Sequence, residues 1–172
     1  MTKEEGKRMK LAVQIDDENG SLRESGINEP DAARLEAVWL EYLEAKYPSL
    51  ASAEQVSVSI KYCPPSEIRD LNSRYRDMDE TTDVLSFPMW EADGVFTAPE
   101  GWVDTPLGDI AICPEVVKSN ALSENRDPET DFALILMHGF LHLLAWDHDT
   151  ETREIEMSSE QETLLKRYLE KV

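Results

Sequence analysis

All three histidines of the chain, His138, His142 and His148, fall within one eleven-residue stretch, HGFLHLLAWDH. The first two are four apart in a segment that reads as helix. That spacing sets them about 40° apart around the axis and roughly 6 Å along it, on one face. Two imidazoles so placed can converge on one ion at about 2.0–2.1 Å each. His148 follows Trp146 and Asp147, where the helix is expected to have ended, so the chain can fold it back as a third ligand. Three protein ligands leave a fourth position open for water, the arrangement of a catalytic rather than a structural zinc site. Imidazole ligands also accept nickel. A lone histidine on an apolar helix is usually a satisfied core residue. This helix, however, is apolar almost all round, with Phe132, Leu134, Ile135, Leu136, Met137, Phe140, Leu141, Leu143 and Leu144. Two unpaired imidazoles buried there would cost free energy with nothing to offset it, and a metal removes that cost.

The same spacing matches the metzincin protease pattern H-E-x-x-H-x-x-G-x-x-H at its histidines, but departs from it twice. Gly139 stands where the protease keeps its general-base glutamate, and Ala145 stands where it has a turn glycine. Without the glutamate, no group at that position can take a proton from water during peptide hydrolysis. Peptidase chemistry would need a base from elsewhere in the chain.

The elements that must position these histidines alternate imperfectly. Strands are expected over 11–15, 56–61, 84–89 and 107–113, each from period-two or continuous apolar runs. A helix opens at Asp31 after Pro30 and stops before Pro48, with Leu35, Val38, Trp39, Tyr42 and Leu43 at helical spacing. Pro64-Pro65 ends the second strand, and Ser66 is expected to cap a short helix through Tyr75. Residues 90–106 are acidic and punctuated by Gly and Pro, and read as loop. Helices follow over 115–124 and 129–145. A last amphipathic helix spans 154–170, with Ile155, Leu164, Leu165 and Tyr168 facing inward. The pattern predicts an α+β fold, a mixed sheet of about four strands with helices packed on it, and the metal site at the end of a buried helix. Sheet order is not readable from it.

Bulk properties bound the rest. The 172 residues suit one domain, expected to span 1–172. The 41% hydrophobic and 31% charged content are those of a globule rather than a disordered chain. Cys63 and Cys113 are too few for a disulfide framework or a thiolate zinc cage. The N-terminal MTKEEGKRMK lacks the apolar core of a secretory signal, and the longest apolar run is too short to span a bilayer, so a cytoplasmic protein is expected. With 36 Asp and Glu against 17 Lys and Arg, the net charge is −19. Such a surface repels anionic membranes and polyanions, so any nucleic-acid function must rest on a local cationic site.

That local site has a precedent. HGFLHLLAWDH resembles the signature H-G-x-L-H-L-x-G-x-D-H of the YbeY family, metal-dependent endoribonucleases linked to ribosomal RNA maturation, with Ala145 its one departure. LNSRYRDMDETTDVLSFP (71–88) resembles the family's N-x-x-Y-R…T-[DN]-V-L-S-F-P stretch, and LGDIAIC (107–113) its L-G-D-I. The three blocks stand in the family's order. The resemblance implies hydrolysis of single-stranded RNA, 16S ribosomal RNA among it, in RNA processing and ribosome quality control. It implies one zinc on His138, His142 and His148, with Arg76 essential and a small ribosomal subunit protein as partner. No DNA or membrane function is expected. A guanidinium at Arg76 offers a planar fork of donors suited to phosphate, although an ion pair with Asp77, Asp79 or Glu80 is the alternative use. Lys61, Arg69, Arg74 and Arg76 lie within sixteen residues, and the next cation is Lys118. Brought beside the histidines, they would make a cationic approach on an acidic globule.

Ser86, Asp109 and Asp147 could line the cleft or orient a histidine; equally they could be a strand-end hydroxyl, a turn carboxylate and a solvated helix-end residue. If the family's glycine adopts a left-handed conformation, Ala145 costs on the order of 1 kcal/mol there. Two rivals remain: a zinc peptidase-like hydrolase indifferent to Arg76, and a ribosome-assembly binding protein in which zinc only holds the helix exit.

Overall fold

The alternation of Val56, Val58 and Ile60 becomes an inner strand of a four-stranded mixed sheet. In this computed structural model, which describes residues 8–170, the strands are β1 (Lys10–Asp16), β2 (Gln55–Tyr62), β3 (Val84–Pro88) and β6 (Asp104–Ile112), in the order β1-β2-β6-β3. The first three neighbours are parallel, and β3 closes the edge antiparallel to β6. The α+β class and the mixed four-stranded sheet expected from the sequence are both present.

Period two decides what each face meets. Val56, Val58, Ile60 and Tyr62 are buried on one face, where α2 (Ala32–Lys46), α5 (Pro128–Leu143) and α6 (Glu151–Leu169) complete the main core. Trp39 of α2 stacks on Phe140 of α5, ring centroids 4.5 Å apart and planes within 2°. The opposite face is covered at one end by α3 (Pro65–Arg76), where Ile68 packs with Leu85, Ala111 and the buried thiols Cys63 and Cys113. Apolar surroundings push the Cys63 thiol up to about 12, so it is inert. α1 (Ser21–Ser25) and α4 (Pro114–Ser123) pack on each other at the margin.

Several boundaries differ from the sequence expectation. Asp31 caps α2 through the Arg34 amide at 3.1 Å as read. Ser66 does not cap α3: Pro65 takes the first helical position, where its missing N–H is no loss, and Pro64 stands at the cap. Ile155 is 64% exposed, because α6 turns Met157, Leu164 and Leu165 inward instead. Residues 90–106 are not wholly loop. They hold a short hairpin, β4 (Glu91–Ala92) and β5 (Val95–Phe96), closed by Asp93 and Gly94 at φ 52° and 76°. Positive φ at both central residues is what an Asp-Gly hairpin turn supplies. Most of the charged N-terminal segment lies outside the described residues. Among the described residues no helix is long and apolar enough to cross a membrane.

Gly108 and Gly139 let the layers close. Gly108 has φ +140° and sits where a Cβ would come within 2.2 Å of the Phe87 carbonyl oxygen. At Gly139 a Cβ would lie 3.1 Å from Ile110 Cγ2 and 3.3 Å from Ser86 Oγ, so α5 rides low on the sheet. The Ser86 hydroxyl donates to the Gly139 carbonyl at 3.0 Å and ties β3 to α5.

Candidate metal centre

α5 ends one turn earlier than its apolar run, and the ending makes the centre. Ala145 takes φ +64°, the Ala145 amide donates to the His142 carbonyl at 3.1 Å, and the Trp146 amide donates to the Leu141 carbonyl at 3.1 Å. This is the Schellman closure, with alanine where glycine is usual. The chain then reverses, and the His148 amide donates to Asp147 Oδ1 at 2.7 Å. The reversal carries His148 back over the helix end. Its ring centroid lies 5.6 Å from that of His138 and 5.4 Å from that of His142. One ligating atom from each of the three residues falls within 4.8 Å of the others, the one such group among the described residues.

The hydrogen bonds on the far side of the rings decide which nitrogens face inward. Nδ1 of His142 lies 2.8 Å from the Trp146 carbonyl oxygen, which can only accept. Nδ1 therefore carries the proton and Nε2 the lone pair. Nδ1 of His138 lies 2.9 Å from Gln161 Oε1 on α6, with the same consequence. The two Nε2 atoms then face each other at 2.9 Å. A metal cation placed between them would take both as ligands. Burial, and then the neighbouring His138 ring, pushes His142 down to about 4, so it is neutral and available near pH 7. The site also lies at the C-terminal end of α5, where the helix dipole favours positive charge. The donor set fits a metal held by three imidazoles.

The histidines line a cleft of about 500 Å³ that Arg76, Ser86, Asp147 and Arg153 also line. Arg76, at the last position of α3, donates from Nη2 to the Ser86 carbonyl at 3.3 Å and has no ion-pair partner among the described residues. The alternative use, an ion pair with Asp77, Asp79 or Glu80, is not made. The wider cationic approach is not assembled either. Lys61 pairs with Glu67 at 2.5 Å, Arg69 with Asp79 at 2.9 Å and Arg74 with Asp70 at 2.7 Å, each a locally neutralised surface pair. Asp109 is exposed on β6 opposite Phe87 and stays outside the cleft. Ser86 acts on the Gly139 carbonyl, not on a histidine.

The family model described as "Endoribonuclease YbeY" matches residues 23–169. The chain belongs to the YbeY endoribonuclease family. Proteins named "Endoribonuclease YbeY" from Staphylococcus aureus strains JH9 and Newman are each 36% identical over 115 residues, covering 67% of this chain and 74% of theirs. The solution structure of TM1509 from Thermotoga maritima shares the fold, with a TM-score of 0.54 and 24% identity over 93% of this chain and 88% of that one.

For a YbeY chain the first departure from the peptidase pattern, the missing glutamate, now has a cause. Gly139 faces Ile110 and Ser86 rather than the cleft, so a glutamate there would be driven into the sheet. Sequence reasoning missed Gln161, the Trp146 carbonyl and Arg153. The first two act through contacts that only the packing of α6 and the helix-ending turn create. Arg153 opens α6 in an i,i+4 pair with Asp149, at 2.9 Å, and spacing alone reads that as a surface ion pair.

Proposed function

We propose that this YbeY-family chain is a zinc-dependent, single-strand-specific endoribonuclease that processes ribosomal RNA, 16S RNA included, and serves ribosome quality control. His138, His142 and His148 hold the zinc; nickel suits the same imidazoles. Zinc held there supplies Lewis acidity at a phosphoryl oxygen of the substrate. Arg76 binds that phosphate. One nitrogen of its guanidinium is steadied by the Ser86 carbonyl, and the remaining donors, unbonded among the described residues, suit a planar, charge-assisted contact. As charge builds at phosphorus, those donors stabilise it, a contribution of about 10²–10³ in rate for a well-placed group. Nδ1 of His142, pinned by the Trp146 carbonyl, keeps Nε2 aimed into the cleft throughout.

One observation carries this reading: two imidazoles bring their Nε2 atoms within 2.9 Å of each other in a cleft that also holds Arg76, which has no ion-pair partner among the described residues. The chain acts as one metallohydrolase domain over 1–172, in the cytoplasm, without DNA or membrane. Because Lys61, Arg69 and Arg74 are neutralised, long-range attraction of RNA is weak, and a small ribosomal subunit protein delivers the substrate. A surface of net charge −19 favours docking to such a basic partner.

The test is cleavage of a labelled single-stranded RNA by zinc-loaded protein beside His142→Ala and Arg76→Ala prepared identically. Wild type cuts, and both variants remain folded and fail. Equal cutting by the variants would mean a contaminating nuclease, and no cutting by wild type would favour a binding role in assembly.

A further inference from the structure

Past the histidine cleft lies a second hollow of about 350 Å³, between the β4–β5 hairpin and the turn that ends α5. The two hollows share Gly94, Ala145, Trp146, Asp147 and Arg153, so they meet along that turn as one groove. Three aromatic side chains shape the far part. Trp146 Nε1 donates to the Tyr47 hydroxyl at 3.0 Å, and Tyr47 meets Phe96 edge-on, centroids 5.3 Å apart at 84°. Their mutual contacts fix the rings in place. Gly94 at the hairpin tip has nothing within 4 Å of where a Cβ would stand, so the mouth is open.

Each part of this groove has its own charges. Arg76 lies in the first part with Asp83 and Glu91, and Arg153 lies at the junction. Arg153 Nη1 is held by Asp149 at 2.9 and 3.2 Å, while its other nitrogens make no hydrogen bond among the described residues. Asp147 shares that junction, and beyond it the one charged lining group among the described residues is Glu156; both carboxylates repel phosphate. A cation followed by a rigid aromatic hollow with an acidic rim suits a group that is flat, uncharged and attached to a phosphate. Grooves that bind single-stranded nucleic acid combine the same parts, a cation on the backbone and rings under the bases.

We propose that this hollow is a nucleobase subsite: it takes a base of the RNA strand adjacent to the scissile phosphate, while Arg153 contacts the intervening phosphate. The proposal rests on the endoribonuclease reading above and adds to it a place for the flanking nucleotide. Phe96 and Trp146 flank the base, and Arg76 and the histidines hold the bond to be cut.

The test is an abasic scan. A short labelled single-stranded RNA is made with one abasic residue at each position in turn, and zinc-loaded wild type and Phe96→Ala are compared on the set. Phe96→Leu, which keeps apolar volume and removes the ring, runs in parallel in case the alanine variant is poorly folded. Metal content is measured for all three proteins. On intact RNA the variants raise KM about tenfold, the effect of one lost base–ring contact, with kcat within about twofold and metal content unchanged. In wild type, one abasic position next to the cut produces a similar loss, and in the variants that position produces none. An equal abasic penalty in wild type and variants overturns the subsite, as does a loss confined to kcat or to metal content. Failure of wild type to cut any of the RNAs sinks the endoribonuclease reading, and the subsite with it.

Discussion

Gln161 sets its side-chain oxygen 2.9 Å from Nδ1 of His138, across 23 residues of chain. α6 thereby fixes which nitrogen of an α5 histidine faces the cleft. Removing this acceptor frees the ring to adopt the other tautomer and to rotate. Gln161→Leu should weaken zinc binding about 10- to 100-fold, the usual cost of losing a hydrogen bond behind a metal-ligating histidine. Gln161→Glu keeps an acceptor and should hold zinc at least as well as wild type. Competition against a chromogenic chelator reads both. Unchanged affinity in the leucine variant would mean that His138 needs no such support.

A second expectation concerns pH and the metal-free protein. The folded-state pKa of His142 lies near 4, below the ordinary value of 6.5. Unfolded chains therefore bind a proton at this residue that folded chains refuse. The contribution of neutral His142 to stability is fully present above about pH 6.5 and is lost as pH falls from there towards 4. Urea midpoints of the metal-free protein should drop across that window. In His142→Phe, which cannot titrate, the drop should be visibly shallower. Identical profiles would place the acid sensitivity in other groups.

At the end of α5 the strain is local. Ala145 sits at φ +64°, which an L-residue with a Cβ adopts at a cost of about 1–2 kcal/mol. Glycine removes that cost and gives back part of it through the freer unfolded chain. Ala145→Gly should stabilise by about 1 kcal/mol net, raising Tm by roughly 2–4 °C for a chain of this size. Thermal unfolding followed by circular dichroism measures it. The amide bonds of the turn are those of the backbone, so His148 should keep its place and zinc affinity should hold within about threefold. A lower Tm would show that the alanine methyl makes a packing contribution larger than its strain.

Much of this centre was legible because its signals are local. Three histidines at i, i+4 and i+10 need only one helix and one turn to meet, and the sequence stretch contains both. The left-handed Ala145 was not: only the glycine that the resembling family carries there pointed to it, since alanine itself signals no positive φ. Sheet order was not: β6 lies between β2 and β3 although it follows both, and no local pattern encodes that pairing. The cationic cluster misled because counting charges along the chain ignores their partners. Arg74 is answered by Asp70 one turn away, but Lys61 meets Glu67 and Arg69 meets Asp79 only after α3 folds against its flanks. Gln161 and Trp146 gave no signal, since an amide and a backbone carbonyl become specific only when a ring is brought to them. The Asp93-Gly94 turn did carry one, but its strands are two residues long and show no alternation.

Gly139 offers the sharpest contrast between a motif and the fold that bears it. Restoring glutamate at this position would complete the H-E-x-x-H motif and, on sequence alone, would supply the base that peptide hydrolysis needs. Here the position faces inward: even a methyl group would lie 3.1 Å from Ile110 Cγ2, and the backbone carbonyl is engaged by Ser86. A glutamate must either bury its charge against β6 or lift α5 from the sheet, and each is costly. Gly139→Glu should lose about 3 kcal/mol of stability or more and gain no peptidase activity. Gly139→Ala, which asks the sheet to yield only a few tenths of an ångström, should lose about 1 kcal/mol. Chemical denaturation of the series, with casein cleavage assayed beside it, tests both. A folded, zinc-loaded Gly139→Glu protein that cuts casein would show that the side chain reaches the cleft after all.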